Sequence, residues 1–216
     1  MSNPSENLSD QIARSLKASL ISGQMVPGVT YSVPALAEEF GVSAMPVREA
    51  VLSLVQQGLM TAIPNRGFRV VEFTEKDLDD IMQLRLMLEV PAVVAGAAAV
   101  TDKVMAELRK LSREIARSAK SGQLNQYLES DRQFHLALTA LVGNPRLDEL
   151  IDDLRSRSRL TGLGRLVERG ALSESAQEHV DMLDAIADGD TSRLRSLMDR
   201  HIRHSRGIWA GNTENV

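Results

Sequence analysis

The chain has 216 residues, a net charge of −4, no cysteine and a hydrophobic share of 43%. Such a length and composition fit one large or two small globular domains with a buried core. The charge excludes a protein that coats nucleic acid through bulk positive potential. The missing cysteine excludes disulfides and thiolate metal sites, so any metal must be held by His, Asp or Glu.

The opening stretch MSNPSENLSD lacks the positive start and apolar run of a signal peptide, and no charge-free segment reaches the length of a membrane span. A cytoplasmic protein with no membrane partner is expected, with residues 1–7 flexible. From Leu8 a helix is predicted, because Ile12, Leu16, Leu20 and Ile21 recur at helical spacing before Gly23 and the Pro27-Gly28 turn. Val33 to Phe40 form a second, short helical pattern. Gly41 breaks it, and Ser43 can cap a third helix whose apolar face is Val47, Val51, Leu54 and Val55. Two helices joined by a turn of this length form a helix-turn-helix. Gly58 stops the third helix, and MTAIPNRGFRVVEF predicts two short strands around a tight Pro-Asn-Arg-Gly turn. Residues 8–72 are therefore predicted to be a winged helix-turn-helix.

The stretch VPALAEEFGVSAMPVREAVLSLVQQGLMTAIPNRGFRVV, with PVREAV (Pro46 to Val51) as its most specific piece, resembles the DNA-binding domain of the GntR family of bacterial transcription regulators. The resemblance implies that Arg48 contacts DNA from the recognition helix and that Arg66 and Gly67 meet it from the wing. Ser43 and Met45, at the start of that helix, complete the implied DNA-binding set. Ala44 and Met45 depart from the family, whose members commonly carry Arg and Thr there, so one base-reading arginine is absent.

Beyond the wing the pattern stays helical almost to the end. Helices are predicted at about 75–99, 102–120, 123–142, 145–162, 172–188 and 190–209, with Pro91 kinking or dividing the first. An all-α antiparallel bundle over 75–209 is expected, followed by a flexible tail, 210–216. The fold class is mainly α.

Asp131 and His135 are four residues apart and project from one helix face toward the same point, which is a chelating spacing. His179 and His201 lie on successive helices, ten residues before and twelve after Gly189, at similar heights in an antiparallel pair. Each histidine taken alone is equally an ordinary hydrogen-bonded bundle residue. His204 is expected to be exposed.

The Asp-x-x-x-His followed by ALTALVGNPRL, then EHVDMLDAIADGD and a final-helix His, is similar to the FCD ligand-binding domain of the FadR subfamily of GntR regulators. LRLMLEVPAVVAGA matches that family's Arg-x-x-x-Glu helix at Arg85 and Glu89. In metal-containing members the Asp and three His bind one divalent ion, often zinc or nickel, and all four positions are filled here by Asp131, His135, His179 and His201.

Three imidazoles and one carboxylate leave a divalent ion net positive, which attracts a small organic acid. Arg85 is the side chain expected to hold a distal carboxylate, with an ion pair to Glu89 as the alternative; Arg155 and Arg159 are weaker candidates. The combined reading is a homodimeric DNA-binding transcription regulator, a repressor, whose operator affinity responds to such an acid. A metal-dependent enzyme is the alternative, opposed by the absence of a general base at catalytic spacing, since neither Glu178 nor Asp181 has one relative to His179. A purely structural metal is a third reading.

Overall fold

The computed structural model describes residues 7–21, 23–158 and 171–210. Arg159, residues 1–6 and the tail from 211 onward lie outside the described residues. The chain divides into two compact units, Met1–Phe73 and Thr74–Val216.

In the first unit, helix α1 (Leu8–Ile21) buries Ile12, Leu16 and Leu20 against the helix-turn-helix, following their helical repeat. Strand β1 (Thr30–Tyr31) leads into α2 (Val33–Phe40). Ser32 caps α2 by accepting from the Ala35 amide at 3.3 Å, and Gly41 ends it with a left-handed φ of 65°. Helix α3 (Ala44–Gln56) buries Val47, Ala50, Val51 and Leu54. Ser43 occupies its N-cap position in extended backbone but makes no side-chain cap bond, which corrects the expected role of that hydroxyl.

Strands β2 (Met60–Ile63) and β3 (Gly67–Val70) pair antiparallel, with Met60 opposite Val70 and Ile63 opposite Gly67. Asn65 turns the wing at φ 58°, a conformation its short polar side chain tolerates. β1 adds a third strand on the other edge of β3, giving the order β1-β3-β2. This strand was not expected from the sequence, because two residues carry no alternation to read.

The second unit is a bundle of six helices among the described residues: α4 (Glu75–Gly96), α5 (Asp102–Ser121), α6 (Leu124–Thr139), α7 (Pro145–Ser158), α8 (Ala171–Ala187) and α9 (Thr191–Ala210). Thr74 opens α4 with a capping box. Its hydroxyl accepts from the Asp77 amide, and its own amide donates to Asp77 Oδ2 at 2.8 Å. Helix α4 packs on α6, α7 and α9, while α5 packs on α6 and α8. Phe134, Leu138, Ile151, Met182, Met198 and Ile202 are fully buried between them.

Pro91 lies inside α4, which runs unbroken from Glu75 to Gly96, so of the two expected outcomes the division does not occur. Its ring lies on the exposed face, and Met87, whose carbonyl loses its i+4 donor, is 68% exposed, so water can satisfy that group. Glu75–Ala99 is long and apolar enough, by length and composition, to cross a membrane. Its buried stripe nevertheless carries Arg85 and Glu89, and it packs within the bundle. At its C-terminus a Cβ on Gly96 would sit 2.8 Å from the Leu138 carbonyl oxygen, so the close approach of the α6 end requires glycine.

Candidate functional site

The centre of the bundle is polar. Helix α6 presents Asp131 and His135 one turn apart, α8 presents His179 and α9 presents His201; all four are buried. One ligand atom from each lies within 4.8 Å of the others. Asp131 Oδ1 is 3.0 Å from His179 Nε2, 3.7 Å from His135 Nε2 and 3.9 Å from His201 Nε2, and the Nε2 atoms of His135 and His201 are 3.1 Å apart.

The outer nitrogens fix which atoms carry lone pairs. His179 Nδ1 lies 2.8 Å from the Ser175 carbonyl oxygen, and His201 Nδ1 lies 2.7 Å from Glu178 Oε2. Both partners accept, so both Nδ1 atoms donate, and a ring that carries no second proton turns its Nε2 inward as an acceptor. His179 Nε2 then confronts Asp131 Oδ1, an acceptor meeting an acceptor at hydrogen-bond distance. His135 Nδ1 is buried with no partner among the described residues, which leave neither tautomer of that ring satisfied. A proton or a cation between these atoms resolves the conflict.

Burial pushes His135 well below the ordinary histidine range, with the Arg155 charge adding to it, and burial also lowers His201. The His135 and His201 rings, whose Nε2 atoms are 3.1 Å apart, are held neutral, which favours a cation over a proton between them. The donor set therefore fits a divalent metal of the kind that accepts imidazole nitrogen and carboxylate oxygen.

A buried ion-pair chain backs the carboxylate. Arg155 Nη2 donates to Asp131 Oδ2 at 2.6 Å and Nη1 to Glu89 Oε2 at 2.5 Å, while Arg85 Nε donates to Glu89 Oε1 at 2.6 Å. Burial alone would raise the Glu89 pKa, but the Arg155 and Arg85 guanidinium groups outweigh it and hold the carboxyl below its usual range. Arg155, which the sequence ranked below Arg85, is thus the side chain touching the ligand set. Arg85 takes the alternative its spacing allowed, an ion pair with Glu89.

Glu178 and Ser175 were missed as partners of the histidines. Adjacent residues on a helix point about 100° apart, so Glu178 cannot share the direction of His179; only the pairing of α8 with α9 brings it to His201. Glu178 also lines a surface cleft of about 650 Å³ with Arg200, Arg203 and His204. His204 is not simply exposed, as expected, but 22% exposed with Nδ1 3.1 Å from Glu178 Oε1.

In the first unit, Ser43, Met45 and Arg48 are exposed on the N-terminal part of α3, and Arg66 is exposed in the wing turn. Gly67 is half-buried at φ 117°, and a Cβ there would lie 2.2 Å from the Tyr31 carbonyl oxygen, so passage of β1 already requires this glycine.

Two family descriptions match the chain: "Bacterial regulatory proteins, gntR family" over residues 8–70 and "FCD domain" over residues 80–204. The HTH-type transcriptional regulator McbR of Escherichia coli (strain K12) is 33% identical over 194 residues, covering 89% of this chain and 88% of that protein. The HTH-type transcriptional repressor GlaR of the same organism is 28% identical, covering 88% and 90%. The solved structure of E. coli McbR/YncC superposes with a TM-score of 0.81 at 30% identity, covering 95% of this chain and 98% of that one. A putative GntR regulator from Rhodococcus sp. RHA1, at 23% identity and a TM-score of 0.74, shares the fold. These relatives are transcription regulators, not enzymes. With its gntR-type winged helix-turn-helix and helical FCD domain, the chain belongs to the GntR family of bacterial DNA-binding transcription regulators.

Proposed function

We propose that this regulator is a cytoplasmic, homodimeric repressor whose grip on its operator changes when a small organic acid binds at a divalent metal in the helical unit. The observation that carries the reading is the convergence of Asp131 Oδ1 and three inward Nε2 atoms, with the outer nitrogens of His179 and His201 pinned. Asp131, His135, His179 and His201 would hold the metal, zinc or nickel. A divalent ion there supplies a positive charge screened from water, to which a carboxylate is attracted. Arg85 and Arg155, both bonded to Glu89, would answer a distal carboxylate in competition with it.

The response has a physical route within the bundle. Helix α9 carries His201 and, five residues on, Arg206. Arg206 donates to Glu75 Oε2 at 2.6 Å and to Asp79 Oδ1 at 2.9 Å, in the first turns of α4. Movement of α9 on ligand binding therefore reaches the first turn after Phe73. A coupling of about 1–3 kcal/mol changes operator occupancy noticeably.

Dimerisation is expected from the thin basic footprint of residues 1–71, where Arg14, Lys17, Arg48, Arg66 and Arg69 are offset by Glu6, Asp10, Glu38, Glu39 and Glu49. Two copies related by a twofold axis read half-sites about one DNA turn apart.

The test is a thermal-shift series of the purified protein against small organic acids, with and without chelator. The proposal expects stabilisation by particular acids that the chelator removes. Stabilisation that survives chelation would place the acid elsewhere, and metal without any acid response would make the site structural.

A further inference from the structure

The three histidines are held from behind in three different ways. His179 Nδ1 faces a peptide carbonyl, His135 Nδ1 faces no partner among the described residues, and His201 Nδ1 faces a carboxylate, Glu178 Oε2, at 2.7 Å. A peptide carbonyl orients a ring. A carboxylate orients it and adds negative charge along the Nδ1–H bond, which makes the opposite Nε2 a stronger donor. Glu178 is itself fixed: it is 5% exposed, and its other oxygen receives His204 Nδ1 at 3.1 Å and Arg200 Nε at 3.4 Å. Three residues within little more than one turn of α9 thus converge on one carboxylate of α8.

We propose that Glu178 is a positioning residue of the metal centre: it fixes the Nδ1–H tautomer of His201 and makes this ring the strongest nitrogen donor of the set. The proposal rests on reading Asp131 and the three histidines as a metal site. Glu178 touches no position the metal would occupy and acts through His201. It also gives the site an outward-facing side, because the same carboxylate lines the cleft between α8 and α9.

The experiment is zinc binding to the full-length protein, measured by competition with a chromophoric chelator, for wild type, Glu178→Gln and Glu178→Ala. Ring ¹⁵N spectra of the metal-free proteins report the His201 tautomer. Glu178→Ala should weaken zinc binding by about 10–100-fold. Glu178→Gln keeps an acceptor without the charge and should fall between the two. Both variants should saturate at the wild-type stoichiometry, and the His201 spectrum should lose its Nδ1–H signature in Glu178→Ala. A purely packing role would lower the melting temperature of the metal-free variants and leave zinc affinity and tautomer unchanged, and that result would overturn the proposal while the metal site stood. Wild-type protein that bound no zinc, yet showed the Nδ1–H tautomer, would overturn the metal reading and with it the role of Glu178 toward the metal.

Discussion

Arg155 donates to Asp131 Oδ2 at 2.6 Å, on the oxygen opposite the one that faces the three histidines. The carboxylate is thereby divided, with one oxygen committed to a buried guanidinium and the other left for the site. Because Arg155 also holds Glu89, removing it takes a charged partner from two buried carboxylates at once, leaving Glu89 only Arg85. Arg155→Met should destabilise the protein by about 3–5 kcal/mol in urea unfolding. A loss below about 1 kcal/mol would show that the network is not paired in solution.

The same network gives an acid dependence with a defined sign. Glu89 is held below its ordinary value of 4.5 by Arg155 from α7 and Arg85 from α4, against the opposing effect of burial. A carboxyl with a depressed folded pKa binds protons more readily unfolded, so its stabilisation is whole above about 4.5 and is lost as pH falls through the folded value. The wild-type urea midpoint should fall as pH drops below about 4.5, and Glu89→Gln should flatten that slope. Parallel slopes for the two proteins would exclude Glu89 as its source.

The winged unit was largely legible because each local signal is mechanical. Val47, Val51 and Leu54 repeat at helical spacing, Gly41 takes a left-handed φ, and Asn65 turns the wing. The i,i+4 spacing of Asp131 and His135 likewise encodes a shared direction on α6. The arginine and carboxylate partners behind the site were not legible, because Arg155 meets Asp131 and Glu178 meets His201 only through packing between helices. That Pro91 does not divide α4 was not legible for a related reason: the penalty for proline in a helix depends on whether the freed carbonyl meets water, and Met87 is exposed.

Arg48 lies exposed in the N-terminal half of α3, the part of a recognition helix that enters the major groove. Arg48→Ala should weaken binding to the protein's operator about 5–150-fold in a mobility-shift titration, with the circular dichroism of the helical unit unchanged. Unchanged affinity would reject the docking of α3.

Met45 is 65% exposed at the start of α3, beside Ala44. An apolar side chain there, if it meets a base edge, would contact a thymine methyl group rather than a guanine edge. Replacing thymine by uracil in a selected operator should weaken wild-type binding about fourfold at one position per half-site, the value of one buried methyl. Met45→Ala should bind the two DNAs equally. Equal uracil sensitivity in both proteins would assign that contact elsewhere.

His179→Ala removes one inward Nε2 and leaves the Asp131 and His135 spacing intact. Metal content and the thermal response to organic acids should fall together in this variant. An acid response that persisted without metal would separate the two and move effector binding toward Arg85.

The most direct test of the central claim is the metal content of the purified, tag-free protein, determined by elemental analysis after exhaustive dialysis against metal-free buffer. About one divalent ion per chain, zinc or nickel, is expected, matching one Asp and three His ligands. Protein with no bound metal, which also takes up none when zinc is supplied, would contradict it and return Asp131, His135, His179 and His201 to the role of hydrogen-bonded bundle residues.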